Sequence, residues 1–247
     1  MVFEDQSRQL LAAIDGRPVV YVANDNSGNW GDRLIDVGTV HWLRTHVDRW
    51  VRVPESAIAS HTAGTGSVTL LFGSGSVGAS AAHTAARRRK ILERFRQPAI
   101  LLPSSISDAH EDLSRVQTVF VRDHFAAALL RDVHPDVRLC PDLAEWTDLL
   151  PVPILDEEGL WLRRDDHAPR WTPQAAVDPI ARAQSLEEYV ALAGRYRHLT
   201  TNRLHLAIAA RLHGRRVTLV PCRWHKVRAY YETWYQDNDL VDWKEEP

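Results

Sequence analysis

Six short, almost continuously apolar runs punctuate the first 148 residues: RPVVYVA, RWVRVP, SVTLLFG, PAILLP, VQTVFVR and VRLC, separated mostly by longer segments of helical character. Strands that are apolar at nearly every position are buried on both faces, and their alternation with helices predicts a mostly parallel sheet. The segment after each run begins with turn or capping residues, so loops and helix starts collect at the carboxyl ends of the strands. In open α/β sheets that edge is where ligands bind.

The composition shifts after TDLL, where PVPILDEEG and RRDDHAPRWTP are rich in proline and charge, and a domain boundary is expected there, with units at 1–148 and 149–247. The second half is smaller. It predicts a strand at LWLRR, a helix over SLEEYVALAGRYR, a helix over LTTNRLHLAIAARLHG, a strand at RRVTLVP and a last helix at KVRAYYETWYQ. The Ala/Arg-rich ASAAHTAARRRKILERF is expected to be a helix with a basic, solvated face.

The 45% hydrophobic content supports a real core in 247 residues. A formal charge of −2, from 30 basic and 32 acidic residues, gives nucleic-acid binding no bulk electrostatic support. No apolar run is long enough to span a bilayer, and MVFEDQSRQL lacks the basic and apolar regions of a signal peptide. Cys140 and Cys222 are too few for a disulfide framework, so a reducing, cytoplasmic setting is expected.

Several loops carry residues suited to chemistry. NDNSGNWGDRLIDVG follows the strand VVYVA and leads into a helix expected to be capped by Asp32. There Gly28 and Gly31 permit close backbone approach, and Asn29 and Asp32 add polar groups; the turn serves either an anion at the helix amides or packing alone. LLFGSGSVGAS offers Gly73, Gly75 and Gly78 with Ser74 and Ser76. In ILLPSSISDAH, Ser104 and Ser105 either bond a ligand or cap a helix, and no GxSxG elbow marks either as a nucleophile. Arg122 and Asp123 stand at a strand-to-helix junction, where Arg122 meets either an internal acid or an anionic ligand. Asp142, in CPDLAEW, suits a sugar hydroxyl, a base or a cap.

The segment LTTNRLHLAIAARLHG sets the sharpest puzzle. Thr201 or Asn202 is expected as N-cap and Gly214 as the stop, which leaves Arg203 and His205 beside the positive end of the helix dipole. An anion there would resolve the conflict. His213, near the other end, is expected to be an ordinary dipole partner, while Lys226 again places a cation at a helix start. His205, His213, Cys222 and His225 do not form a recognised ligand spacing, so no metal is expected.

Taken in order, NWGDRLI, FGSGSV, LLPSSI, VFVRD, CPDLA, LRRD, TNRLHLAIAARLHG and HKVRAYYETW resemble the polysaccharide pyruvyl transferase family, particularly its bacterial exopolysaccharide members, from about residue 24 to 236. The resemblance implies a GT-B-like fold, with two Rossmann-like halves facing a central cleft and the second reduced. It also implies transfer of a pyruvyl group from phosphoenolpyruvate to a sugar as a ketal, with phosphate released and no cofactor or metal. Arg122, Arg203, Leu204, His205 and Lys226 would then hold the donor, and Asn29, Gly31, Gly73, Gly75, Ser104 and Ser105 would contact substrate. His205 would be the general acid, and Asp32 or Asp142 the base. The partners implied are phosphoenolpyruvate and a lipid-linked, nucleotide-linked or polymeric sugar, the first of which would bring the protein to the inner membrane face. The same groups also suit a GT-B-like glycosyltransferase with a nucleotide-sugar donor, though no carboxylate for its ribose stands out in the second half. A catalytically silent sugar or phosphosugar binding module is the third reading.

Overall fold

The computed structural model describes residues 3–24, 28–58, 68–73, 76–77, 82–108, 111–162 and 177–245. The chain divides into two compact units, residues 1–27 with 35–146 and residues 28–34 with 147–247.

The first unit holds β1 (Val19–Ala23), β2 (Trp50–Pro54), β3 (Thr69–Phe72), β4 (Ser76–Val77), β5 (Ala99–Ile106), β6 (Thr118–Val121) and β7 (Val137–Leu139). They form a sheet ordered β2-β1-β3-β5-β6-β7, with β4 paired to β5 and every pairing parallel. The expected α/β class with parallel strands is what the sequence forms. β1, β3, β5 and β6 are buried throughout, whereas the edge strands β2 and β7 are only partly covered, as two-sided packing requires. One face packs Val20, Val22, Leu70, Phe72, Leu101 and Val119 against Ile91 and Leu92 of α3 (Ala82–Arg94) and Ala126 and Leu130 of α4 (His124–Leu130). On the other face, the Tyr21 hydroxyl bonds to Asp36 and Thr39 of α2 (Trp30–His46), and burial followed by the Asp36 charge pushes Tyr21 far above the ordinary tyrosine range. Trp42 of α2 donates its indole N–H to Ser7 Oγ of α1 (Glu4–Ile14) at 2.8 Å. The basic helix α3 exposes Arg89, Lys90 and Arg94, but Arg88 turns inward onto Glu111 through bonds of 2.7 and 3.1 Å.

Strand order reverses at β1: the chain steps outward to β2 and then returns to the opposite side for β3. The ends of β1 and β3 thus flank a topological switch point, the usual site of a ligand crevice.

The second unit is a four-stranded parallel sheet in the order β11-β10-β9-β8, comprising β8 (Asp156–Trp161), β9 (Tyr196–Thr201), β10 (Arg216–Leu219) and β11 (Val241–Trp243). Its helices are α5 (Pro179–Arg182), α6 (Leu186–Gly194), α7 (Leu204–Leu212) and α8 (Lys226–Tyr230), the last continuing into a π-turn at Tyr231–Tyr235. Ser185 caps α6 by accepting from Glu188 N, and Glu188 Oε2 accepts from Gln184 N, two bonds across the first turn that fix where the helix starts.

Several local expectations are corrected. The first strand of this unit is Asp156–Trp161 rather than LWLRR, and residues 163 and 164 lie outside the described residues. Tyr196–Thr201, expected to be shared between two helices, is the central strand β9, because its backbone pairs with β8 on one side and β10 on the other. The last helix is not one α-helix, since its ladder widens to π spacing after Tyr230.

The end of α7 is as expected in backbone and different in charge. Gly214 adopts φ +71°, and Arg215 N donates to Ala210 O at 2.9 Å, so the chain leaves the helix through a left-handed residue. His213, however, packs against Gly194 and bonds to the Val190 backbone, and its Nε2 is buried without a partner among the described residues. Burial first and Arg215 second hold its proton affinity below the ordinary histidine value, so it is a neutral packing group rather than a dipole partner. Because the unfolded chain binds that proton more readily, the contribution is present above the unfolded histidine value of about 6.5 and is lost as pH falls through the lower folded value. Urea midpoints between roughly pH 7 and 5 should therefore fall less steeply for His213→Gln than for the parent chain. Identical slopes would contradict the assignment.

Candidate functional site

Each unit presents a polar cluster at the carboxyl ends of its strands. In the first unit it is built where β5, β6 and β7 end. Ser104 and Ser105, expected just after a strand, instead lie within β5 immediately before its last residue, Ile106, and both are buried. The Ser104 hydroxyl donates to Leu102 O at 2.8 Å and its carbonyl accepts from Arg122 N at 3.2 Å, so it serves its own strand and the next. Arg122 follows β6 and is 3% exposed; its Nη2 donates to Ser105 Oγ at 2.6 Å and its Nη1 to Asp142 Oδ2. Asp142, fully buried, also accepts from Ala144 N at 2.9 Å through Oδ1, which starts a 3₁₀ turn at Leu143–Trp146.

Of the alternatives open in the sequence, the geometry at Arg122 is that of an internal ion pair. Asp123 caps α4, its Oδ1 accepting from Ala126 N at 2.8 Å, while Oδ2 is buried without a partner among the described residues. At the switch point, Gly73 donates its N–H to Val22 O at 3.0 Å, and a Cβ on it would come within 3.2 Å of that carbonyl. Gly75, Ser74 and Gly78 lie outside the described residues.

In the second unit the cluster forms where β9 hands over to α7. Thr201 is the corner piece: its hydroxyl donates to Trp161 O at 2.6 Å, accepts from Arg203 N at 3.0 Å, and its carbonyl accepts from Val220 N at 3.1 Å. Those three bonds tie the ends of β8 and β10 to the start of α7. The N-cap is Arg203, not Thr201 or Asn202, and its side chain makes no capping bond to the helix amides. The guanidinium instead donates through Nη2 to Asp178 Oδ2, while its Nε is buried without an acceptor among the described residues. Leu204 is buried beneath the first turn and His205 is half-buried beside it.

The start of α2 belongs to the same unit. Asn29, rather than the expected Asp32, opens this helix, its Oδ1 accepting from Gly31 N at 3.0 Å and its carbonyl accepting from Arg33 N at 3.2 Å. Trp30 donates its indole N–H to Ala183 O at 3.1 Å, and Asp32 sits in the first turn. Gly31 lies directly against the His205 ring. Tyr189 of α6 is fully buried; desolvation chiefly, with the charges of Asp178 and Asp32 added, raises its phenol well above the ordinary range, and Arg203 opposes the shift. Asp32, Asp178 and Arg203 are thus gathered about one neutral tyrosine. Lys226 opens α8 as expected and is half-buried.

Sequence reasoning missed Asp178 and Tyr189. Asp178 had a local signal, because VDPIAR is an acid followed by proline at the first helical position, and Asp178 does cap α5 by accepting from Ile180 N at 3.1 Å. Tyr189 had none, since on a helix it reads simply as core. Among the described residues no three His, Cys, Asp or Glu side chains are grouped to hold a metal ion, and no helix is long and apolar enough to cross a membrane. Cys140 and Cys222 form no disulfide, and burial raises the Cys140 thiol far above its ordinary value, which makes it inert.

The buried Arg122–Asp142 pair has a measurable consequence. Asp142→Asn leaves a guanidinium in the core without its counter-charge and should lower stability by roughly 3–5 kcal/mol in urea unfolding. The double replacement Arg122→Met with Asp142→Leu should recover most of that loss; a single variant as stable as the parent would show that the pair is not structural.

Comparison with known proteins adds two findings. A model of the polysaccharide pyruvyl transferase family matches residues 7–222. A crystal structure from Klebsiella pneumoniae subsp. pneumoniae NTUH-K2044, of a protein described as functionally uncharacterized, is similar with a TM-score of 0.74 and 19% identity over 97% of both chains, and this likeness concerns fold alone. No curated protein matches the sequence.

Proposed function

The chain belongs to the polysaccharide pyruvyl transferase family, and we propose that it moves a pyruvyl group from phosphoenolpyruvate to a sugar of a polysaccharide or its precursor, forming a ketal and releasing phosphate. The observation that carries this reading is the start of α7, where an arginine occupies the N-cap without capping, keeps a buried Nε with no acceptor among the described residues, and is followed two residues later by a histidine. A small donor bearing a carboxylate and a phosphate suits that combination of guanidinium fork and helix amides. Asp178 fixes one end of the fork, so Arg203 is aimed before the donor arrives.

In this mechanism Arg203 binds the donor and His205 gives a proton to the enol methylene, turning it into a methyl group. The adjacent carbon then accepts attack by one sugar hydroxyl. Asp32 takes that hydroxyl's proton; it lies in the same unit as His205, whereas Asp142 is fully buried and already engaged by Arg122 and Ala144 N. The carbon–oxygen bond to phosphate breaks, Lys226 offsets the charge of the leaving group, and a second hydroxyl closes the ketal. Of the two hydroxyl protons, one replaces the proton given by His205 and the other leaves with phosphate.

The catalytic fold in this reading is GT-B-like, the acceptor is lipid-linked, nucleotide-linked or polymeric, and the reaction is cytoplasmic. A lipid-linked acceptor would draw the protein to the inner membrane face.

Arg203→Ala should abolish phosphoenolpyruvate binding in calorimetry. His205→Gln should retain binding while losing about 10²–10⁴-fold in turnover. Near-normal turnover in both variants would overturn the assignment.

A further inference from the structure

Glycine at position 31 is not demanded by its own backbone. It lies one residue inside α2, and the positive φ values among the described residues belong to Asp15, Gly16 and Gly214. An alanine there would be a better helix former. What excludes a side chain is His205: a Cβ on Gly31 would stand 2.9 Å from Cγ and 3.1 Å from Cβ of the histidine, with Nδ1 closer still. The turn cannot simply retreat, because Gly31 N is bonded to Asn29 Oδ1 at 3.0 Å and the neighbouring Trp30 indole is bonded to Ala183 O at 3.1 Å. His205 is held in turn by its place in α7, whose start is fixed through Thr201. The part able to yield is the imidazole ring.

We propose that Gly31 is a positioning residue for His205: its bare Cα is the surface on which the Nδ1 edge of the ring rests, so that the opposite edge, carrying Nε2, is the one that delivers the proton. This rests on His205 being the general acid and assigns Gly31 a task other than contact with substrate. A Cβ at position 31 rotates the ring and misdirects Nε2 without removing any donor-binding group.

A double-variant cycle on the full chain tests this. Gly31→Ala should lower kcat by about 10²-fold, the scale of a small misplacement of a reacting group, with the KM for phosphoenolpyruvate changed little. It should also lower Tm. In the His205→Ala background the same Gly31→Ala change should cost no further activity and should lower Tm much less than in the parent, because the contacts with Nδ1 and Cγ are gone and only the 3.1 Å approach to Cβ remains. If Gly31→Ala fails to fold by itself, the double variant should regain a cooperative transition, and failure to do so would overturn the proposal. Equal Tm shifts in the two backgrounds would also overturn it. If His205→Ala is inactive while Gly31→Ala keeps full kcat, the positioning role alone falls. If His205→Ala keeps full turnover, the acid assignment falls and Gly31 loses its role with it.

Discussion

Parallel pairing is the constraint from which the rest follows. Within each sheet the crossovers return the chain to the same edge, so the strands of that sheet all end on one side of it, and helices begin there with unpaired amides. Each such edge collects positive backbone charge before any side chain is chosen. The chain then adds cations: in the first unit Arg122 at the end of β6, and in the second Arg203 at the end of β9 and Lys226 at the start of α8.

The first two cations are enclosed to different degrees. Arg122 is enclosed, with Asp142 and Ser105 consuming its two terminal nitrogens, and it joins the ends of three strands. Arg203 is more open, its side chain 12% exposed, and Asp178 holds it through Nη2. A guanidinium that reaches the surface beside helix amides is a natural place for an anionic ligand. The neutral Tyr189, buried among Asp32, Asp178 and Arg203, gives this cluster a rigid floor that carries no charge of its own.

Much of this was legible in the sequence where a signal is local. Strands β1, β3, β5 and β6 announce themselves because burial on both faces demands apolar residues throughout, and Gly214 because a left-handed residue ends its helix. β9 did not, because YRHLTT is mostly polar and is held by backbone pairing to its two neighbours. Asp142 and Arg122 were each noticed, but their pairing spans 20 residues and only the fold makes it. Asp178 could have been found from the acid-proline pair that starts α5, whereas the contact between Gly31 and His205 is purely tertiary. Nothing in NWGD says which side chain will lie against its glycine.

The central claim is that the α7 cluster receives phosphoenolpyruvate and passes its pyruvyl group to a sugar. The most direct measurement is incubation of the protein with phosphoenolpyruvate and a panel of activated sugars, following phosphate release together with the mass of each sugar. The account predicts phosphate released in equal amount to one sugar product that has gained a pyruvyl ketal. Consumption of a nucleotide sugar as donor, with phosphoenolpyruvate untouched, would contradict it.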